Sequence, residues 1–287
     1  MLNTLDPDSS SRSRRPPRGP ALSLRREYEE YIFQRIEEHK NALSRAELLE
    51  VGDEAVRELE ANTRDQYLLT EVLLLEHVDR IIGRRLRLPT FQKWSRTHRA
   101  LRAAQREPTH WGLDADSSLV TWVRRLEHGD TAIVIGASAL SAALFIAAHE
   151  AEVLLLDQDL GAIESAESRA VSEQLAGRFQ ALVVQFGRWL PDVPVSLAVI
   201  DPAALVVAAA AERRTLVADL QGRTATGGVH VVLPLADVEP EAVIPIAPES
   251  LQVHYAGWEI HHRSRSRRAG FAASKPRHIN TRANVSE

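Results

Sequence analysis

The stretch Gly129–Asp159, GDTAIVIGASALSAALFIAAHEAEVLLLDQD, decides the fold because it spells strand, turn, helix and strand in succession. Ile133, Val134 and Ile135 form an unbroken apolar run, the pattern of a parallel strand buried on both faces. Gly136 interrupts it. Ala137 to Ala148 is rich in alanine and leucine, with Leu140, Leu144 and Ala147 or Ala148 at helical spacing, so a helix is expected directly after the turn. Val153 to Leu156 reads as a second strand and ends on Asp157. An acid there, roughly 20 residues after a glycine turn, stands where a ribose hydroxyl lies in a doubly wound sheet. The helix N-terminus beside Gly136 would face the same ligand.

The run from Ala132 to Ala148 holds no charged residue and approaches the length of a membrane-spanning helix. Gly136, Ser138 and Ser141 inside it, with Asp130 and Glu150 close on either side, favour the strand, turn and helix instead.

Further strands follow in order. Ala181–Gln185 is expected as the third, and Val195–Ile200 as the fourth, ending in Asp201-Pro202. Gly227-Gly228 precede a fifth, Val229–Leu233. Tyr255 to Ile260 and Gly270 to Ser274 form a closing pair around a polar loop with His261, His262, Arg263, Arg265, Arg267 and Arg268. Five strands alternating with helices and closed by a hairpin resemble the class I S-adenosylmethionine-dependent methyltransferases, across about Trp111 to Pro276. The expected fold is α/β, a Rossmann-like methyltransferase sheet with helices on both faces and a C-terminal β-hairpin, preceded by an all-α helical domain.

That resemblance implies S-adenosylmethionine as cofactor and methyl transfer to a small molecule as activity. It assigns cofactor contacts to Gly136, Ser138, Asp157, Gln185 and Asp201. The family usually carries an acid at the end of the first strand and then G-x-G-x-G. Here the acid's position falls on Val134, the first glycine is Gly136, and the next two glycine positions hold Ser138 and Leu140. Val134 cannot fix the amino acid end of the cofactor, and Leu140 puts a side chain where backbone would approach the ligand. Asp157 matches the acid that takes the ribose hydroxyls, with Asp159 as fallback. Gln185 would meet the adenine amino group, and Phe186 or Trp189 would stack on the ring. Asp201-Pro202 resembles the end of the family's fourth strand, without the second proline and aromatic residue of enzymes acting on exocyclic base nitrogens. Trp111 or His110 resembles a lid element. No catalytic base is implied; His110 and His149 are guesses.

Each position also has an ordinary reading: a strand-to-helix turn at Gly136, a helix cap at Asp157, turn chemistry at Asp201, domain packing at Trp111. Two other functions stay open. The chain could keep the fold without the chemistry, as a binding or scaffold protein working through its helical domain, with a homodimer formed through Leu68, Val72 and Leu75. A dehydrogenase-type dinucleotide fold would fit Asp157, but one glycine matches it poorly.

The organisation expected is a disordered arm at 1–22, a helical domain at 23–107, the methyltransferase-like domain at 108–276 and a flexible tail at 277–287. The arm has no apolar core of an export signal, so a cytoplasmic location is the default. No cysteine is present, which removes disulfides, thiolate metal sites and cysteine nucleophiles together. A formal net charge of −4 gives no bulk attraction to nucleic acid.

In the helical domain, Tyr28, Tyr31 or Ile32, and Ile36 mark a first amphipathic helix. Ser44 and Glu47 have capping-box spacing, so a second starts near Arg45. Tyr67 to Ile82 is a third, and Leu88-Pro89-Thr90 ends it and caps a fourth. The fourth carries Lys93, Arg96, Arg99, Arg102 and Arg106, and the last four fall on nearly one face, a basic stripe that could hold phosphate as in nucleic-acid binding modules but reads more readily as an exposed face near acidic partners. Glu76 and His77 are adjacent rather than three or four apart, and Glu76 with Asp79 or Arg80 reads as a solvated polar face, so no metal is expected.

Overall fold

The computed structural model describes residues 23–62, 71–206, 208–234, 246–262 and 270–276. The expected arm and tail, Leu68, and the loop arginines Arg263, Arg265, Arg267 and Arg268 lie outside the described residues. The chain divides into two units, one up to Leu101 and one from Arg102 onward.

The first unit is helical: α1 (Leu24–Ala42), α2 (Arg45–Asn62), α3 (Glu71–Arg85) and α4 (Phe91–Gln105), whose last turn belongs to the second unit. Ser44 and Glu47 start α2 as their spacing predicts. The Glu47 N–H donates to Ser44 Oγ at 3.3 Å and the Ser44 N–H to Glu47 Oε2 at 2.8 Å. Thr90 accepts from the Lys93 and Trp94 N–H groups and so opens α4. Ile36, Val51, Ala55, Ile81 and Ile82 form the core of this unit. On α4, Trp94 is buried against Tyr28 and Tyr31 of α1, and Tyr28 donates its hydroxyl to Pro89 O at 2.9 Å. These contacts fix which face of α4 points inward.

The second unit is a seven-stranded sheet in the order β3-β2-β1-β4-β5-β7-β6. Its parallel strands are β1 (Thr131–Ile135), β2 (Glu152–Asp157), β3 (Phe179–Val183), β4 (Val195–Ile200) and β5 (Thr224–Val232). The hairpin of β6 (Glu259–His262) and β7 (Phe271–Ser274) adds antiparallel to β5 through β7. The helices are α5 (Ser118–Val123), α6 (Leu140–Ala148), α7 (Leu160–Ser172), α8 (Ala210–Arg223) and α9 (Pro248–Gln252). This is the Rossmann-like methyltransferase architecture the strand pattern implied. Alternate residues of β1 serve opposite faces: Ala132 and Val134 pack with α5, α6 and α7, while Ile133 and Ile135 pack with Leu216, Val217 and Leu220 of α8. Helices on both faces explain why the strands read as continuous apolar runs.

The charge-free stretch has the same cause. Seven consecutive residues of α6, Ala142 to Ala148, are buried, so no position tolerates a charge. No helix among the described residues is long and apolar enough to cross a membrane.

Three boundaries differ from expectation. The third strand starts two residues earlier, at Phe179. Gly227 and Gly228 lie inside β5 rather than before it, where its register against β4 shifts; Gly227 adopts φ 79° and a β-carbon on Gly228 would meet Thr224 at 2.7 Å. Glycines there mark a bulge, not a strand start. Tyr255 belongs to a short 3₁₀ turn, and β6 begins only at Glu259.

Candidate functional site

The sheet's order reverses between β1 and β4, and in such folds ligands lie in the crevice beyond the carboxyl ends of those strands. Two turns meet there. After β1, Gly136 takes φ 101° and leads into a 3₁₀ turn, Ala137–Ala139, before α6 begins at Leu140. After β4, Asp201 leads into a second 3₁₀ turn, Pro202–Leu205. A β-carbon built on Gly136 would stand 2.5 Å from the Ala204 β-carbon, so on that side the glycine is packed against this chain's own residue. Ser138 Oγ donates to Asp201 Oδ2, while Asp201 Oδ1 accepts from the Ala203 N–H at 2.9 Å. The turn after β4 is thus fastened over the turn after β1.

Asp157 stands at the tip of β2, one strand along. Its Oδ2 accepts from the Ala137 N–H at 2.6 Å, and its Oδ1 from the N–H groups of Gln158 at 2.7 Å and Asp159 at 3.0 Å. A carboxylate offers about four lone-pair sites, so one is left for a further donor. The capping role open to Asp157 from the sequence falls to Asp159, whose Oδ1 accepts from Ala162 N at the start of α7.

Beyond β3 the expected aromatic contacts separate. Phe186 is buried with Ile133, Ile135 and Leu190, so it packs the core instead of stacking on a ligand. Trp189 is 56% exposed, and Gln185 is exposed with no side-chain hydrogen bond among the described residues. Val183, exposed, pairs in register with Asp157, and Leu160, also exposed, opens α7 beside Asp159. The edge around Asp157 therefore carries an acid, an amide and apolar surface open to solvent.

The remaining candidates lie elsewhere. Val134 is fully buried in the sheet, where nothing from outside reaches it. Trp111 is buried and donates its indole N–H to Gln105 O at 2.7 Å, which is packing and not a lid. His149 ends α6, its ring nitrogen 2.9 Å from Phe145 O, and burial lowers its pKa. Since α6 runs back from the carboxyl end of β1, His149 sits at the opposite end of the sheet from the crevice. Among the described residues no three His, Cys, Asp or Glu side chains group as a metal site would need. Sequence reasoning missed one polar cluster, His230 with Thr224 and Tyr255, in the interior of the unit. Its signal was a single histidine inside the apolar run of β5.

S-adenosylmethionine, implied by the resemblance, is matched by half of these residues. Asp157 and Gln185 suit a nucleoside. The half that would take the amino acid end does not fit: Val134 offers no charge, Gly136 is packed against Ala204, and Ser138 is spent on Asp201.

No protein-family model matches the chain, and no curated protein matches it in sequence. Among solved structures it is similar to the N-methyltransferase NodS from Bradyrhizobium japonicum, at 14% identity over 55% of this chain and 92% of that one, with a TM-score of 0.44. The glycopeptide N-methyltransferase MtfA complexed with S-adenosylmethionine is similar at 12% identity, over 57% and 94%, with a TM-score of 0.42. A methyltransferase from Methanosarcina mazei is similar at 18% identity, over 54% and 96%, with a TM-score of 0.43. At these scores the weight of the fold assignment rests on the strand order itself.

Proposed function

We propose that this chain is a methyltransferase-like binding protein that keeps the fold and has lost methyl transfer. One observation carries this reading: at the switch point between β1 and β4 the chain's own turn fills the side of Gly136 where a β-carbon would stand, through Ala204, and Asp201 takes the proton of the exposed Ser138 hydroxyl. The working surface is then the helical unit. Val72 and Leu75 on α3 are 64% and 52% exposed, apolar surface that suits a second copy of the chain. Sedimentation equilibrium is expected to show a homodimer that Val72→Glu with Leu75→Glu converts to monomer. A monomeric parent would remove the dimer from the proposal.

A second reading is S-adenosylmethionine-dependent methylation of a small molecule. The acid at Asp157 and the free amide of Gln185 favour it. Calorimetric titration with S-adenosylmethionine, S-adenosylhomocysteine and NAD separates the two. No heat from any of them at millimolar ligand supports the binding protein. Micromolar affinity for the first two, lost in Gln185→Ala while thermal stability is kept, establishes the cofactor site and overturns it. Binding of NAD alone would favour the dinucleotide fold.

A further inference from the structure

A helix that starts beside the first strand of such a sheet holds an anionic ligand through its free N–H groups and the positive end of its dipole. In this chain those groups are committed. The Ala137 N–H donates to Asp157 Oδ2 at 2.6 Å, the Ala139 N–H to Gly136 O at 3.0 Å, and the Leu140 N–H to Ala137 O, which leaves at most the Ser138 N–H. The charges act the same way. From the tips of β1, β2 and β4 through the turns that follow, at 135–139, 157–159 and 200–206, the charged residues are Asp157, Asp159 and Asp201, all acids. A phosphate or carboxylate brought to this point meets like charge, with no cation on these turns to offset it.

One strand along, the surface suits an uncharged polar ligand. Asp157 is half-buried and keeps one acceptor site after its three backbone bonds. The Val184 N–H donates to Asp157 O at 2.8 Å, and burial alternates past the end of β3, with Val183 and Gln185 exposed and Val184 and Phe186 buried. The chain therefore stays extended, and Gln185 projects to the same side as Val183, the residue paired with Asp157. An acid in this place accepts from ribose hydroxyls. A glutamine amide pairs in two directions with the N6 and N7 edge of adenine. The exposed side chains of Val183 and Leu160 supply apolar surface beside both.

We propose that this edge binds adenosine as an uncharged nucleoside, a ribose hydroxyl donating to Asp157 and the base edge meeting the Gln185 amide, and that it rejects adenosine extended at its 5′ carbon by a phosphate or an amino acid. The inference rests on the reading of the chain as a methyltransferase-like binding protein, and it names a ligand for the crevice. The mismatch with S-adenosylmethionine is then one of specificity. The nucleoside half of that molecule finds partners, and the carboxylate of its amino acid half finds acids and amides that are already taken.

The test is calorimetric titration of the full chain with adenosine, adenosine 5′-monophosphate and S-adenosylhomocysteine, for the parent and for Gln185→Ala. Gln185 makes no side-chain hydrogen bond among the described residues, so the variant is expected to keep the parent's melting temperature. The expected result is adenosine binding at least about tenfold tighter than that of either extended ligand, weakened about fivefold in Gln185→Ala by the lost hydrogen bonds. Three results would overturn the proposal: no heat from adenosine at about 5 mM, where a site of millimolar affinity is mostly filled, equal or tighter binding of either extended ligand, or the same adenosine affinity in parent and variant. The two readings fail separately. Silence from all three ligands removes the nucleoside and leaves the binding protein, whereas micromolar affinity for S-adenosylhomocysteine removes both.

Discussion

The backbone N–H of Ala137 donates to Asp157 Oδ2 at 2.6 Å, tying the turn after β1 to the tip of β2 across 20 residues. Asp157 accepts two more backbone N–H groups, from Gln158 and Asp159. Whatever ligand it meets, this carboxylate is part of the turn's own structure. Asp157→Ala leaves three donors without their partner and is expected to lower stability by about 1–3 kcal/mol. Gln185→Ala, which removes no hydrogen bond of the described fold, is expected to change it by less than about 0.5 kcal/mol. Urea unfolding of the two variants checks both values. Equal effects would mean that Asp157 contributes nothing to the turn, leaving ligand binding as its role.

Gly136 and Gly112, with Ala204→Gly as the decisive background, measure the packing of the turn after β4 on the turn after β1. Both have positive φ, but Gly112 is left-handed helical at φ 70° and ψ 20° while Gly136, at φ 101° and ψ 124°, lies outside that region, so alanine is strained at both and more so at Gly136 whatever it touches. A β-carbon on Gly112 would meet nothing within 4 Å, whereas one on Gly136 would press on the Ala204 β-carbon at 2.5 Å. Gly136→Ala is therefore expected to cost clearly more than Gly112→Ala. The gap should shrink in the background of Ala204→Gly, which empties the contact. A gap that Ala204→Gly leaves unchanged would show that the two turns are not packed.

The fold was legible because its strands are buried on both faces and its glycines punctuate them. Val195–Ile200 matches the strand found, and Arg45 starts α2 where Ser44 and Glu47 place it. Boundaries moved where a glycine had two readings: Gly227 and Gly228 mark a bulge inside β5, and periodicity alone cannot tell a bulge from a turn. The site was legible as a set of positions, not as a set of partners. Position along the chain placed Asp157 at a strand tip, yet nothing in the residue order says that Asp201 turns toward Ser138, 63 residues away, or that Phe186 points inward while Trp189 points out. Those facts depend on how the turn after β4 lies over the turn after β1. Such packing is a tertiary property with no local signature.

Trp111 resembled a lid and is a packing residue. Its indole N–H donates to Gln105 O, and the Gln105 amide in turn donates to Glu173 O at 2.9 Å, so the ring closes a chain of bonds at the edge of the core. Trp111→Phe removes the donor and part of the ring. The expected loss is about 2 kcal/mol by chemical denaturation, with the calorimetric titrations of the parent unaltered. A variant of parental stability and altered ligand response would restore the lid reading.

His230 should make the protein sensitive to mild acid. Thr224 Oγ1 donates to Leu220 O at 2.6 Å, so its hydrogen is committed. The 2.7 Å contact with His230 Nε2 must then be donated by the imidazole, and Nδ1, 2.9 Å from the Tyr255 hydroxyl, accepts from it. Burial raises the tyrosine's pKa and keeps that hydroxyl protonated. The neutral ring satisfies both neighbours, and a second proton has no acceptor. Burial, aided by the charge of Lys275, lowers the pKa of His230 from 6.5 to about 3. Between those values the unfolded chain binds more protons than the folded one, so this contribution is complete above pH 6.5 and is lost as pH falls toward 3. Its full size is on the order of 5 kcal/mol. His149, also lowered by burial, acts in the same direction. His230→Leu leaves the Tyr255 hydroxyl without its acceptor and Thr224 Oγ1 without the imidazole N–H, and is expected to be less stable than the parent at pH 7. Its stability should fall less steeply from pH 6.5 to 4.5, by close to one proton's worth of slope. Urea unfolding at intervals across that window reads the difference directly, and parallel curves for parent and variant would show that His230 carries its proton in the folded state.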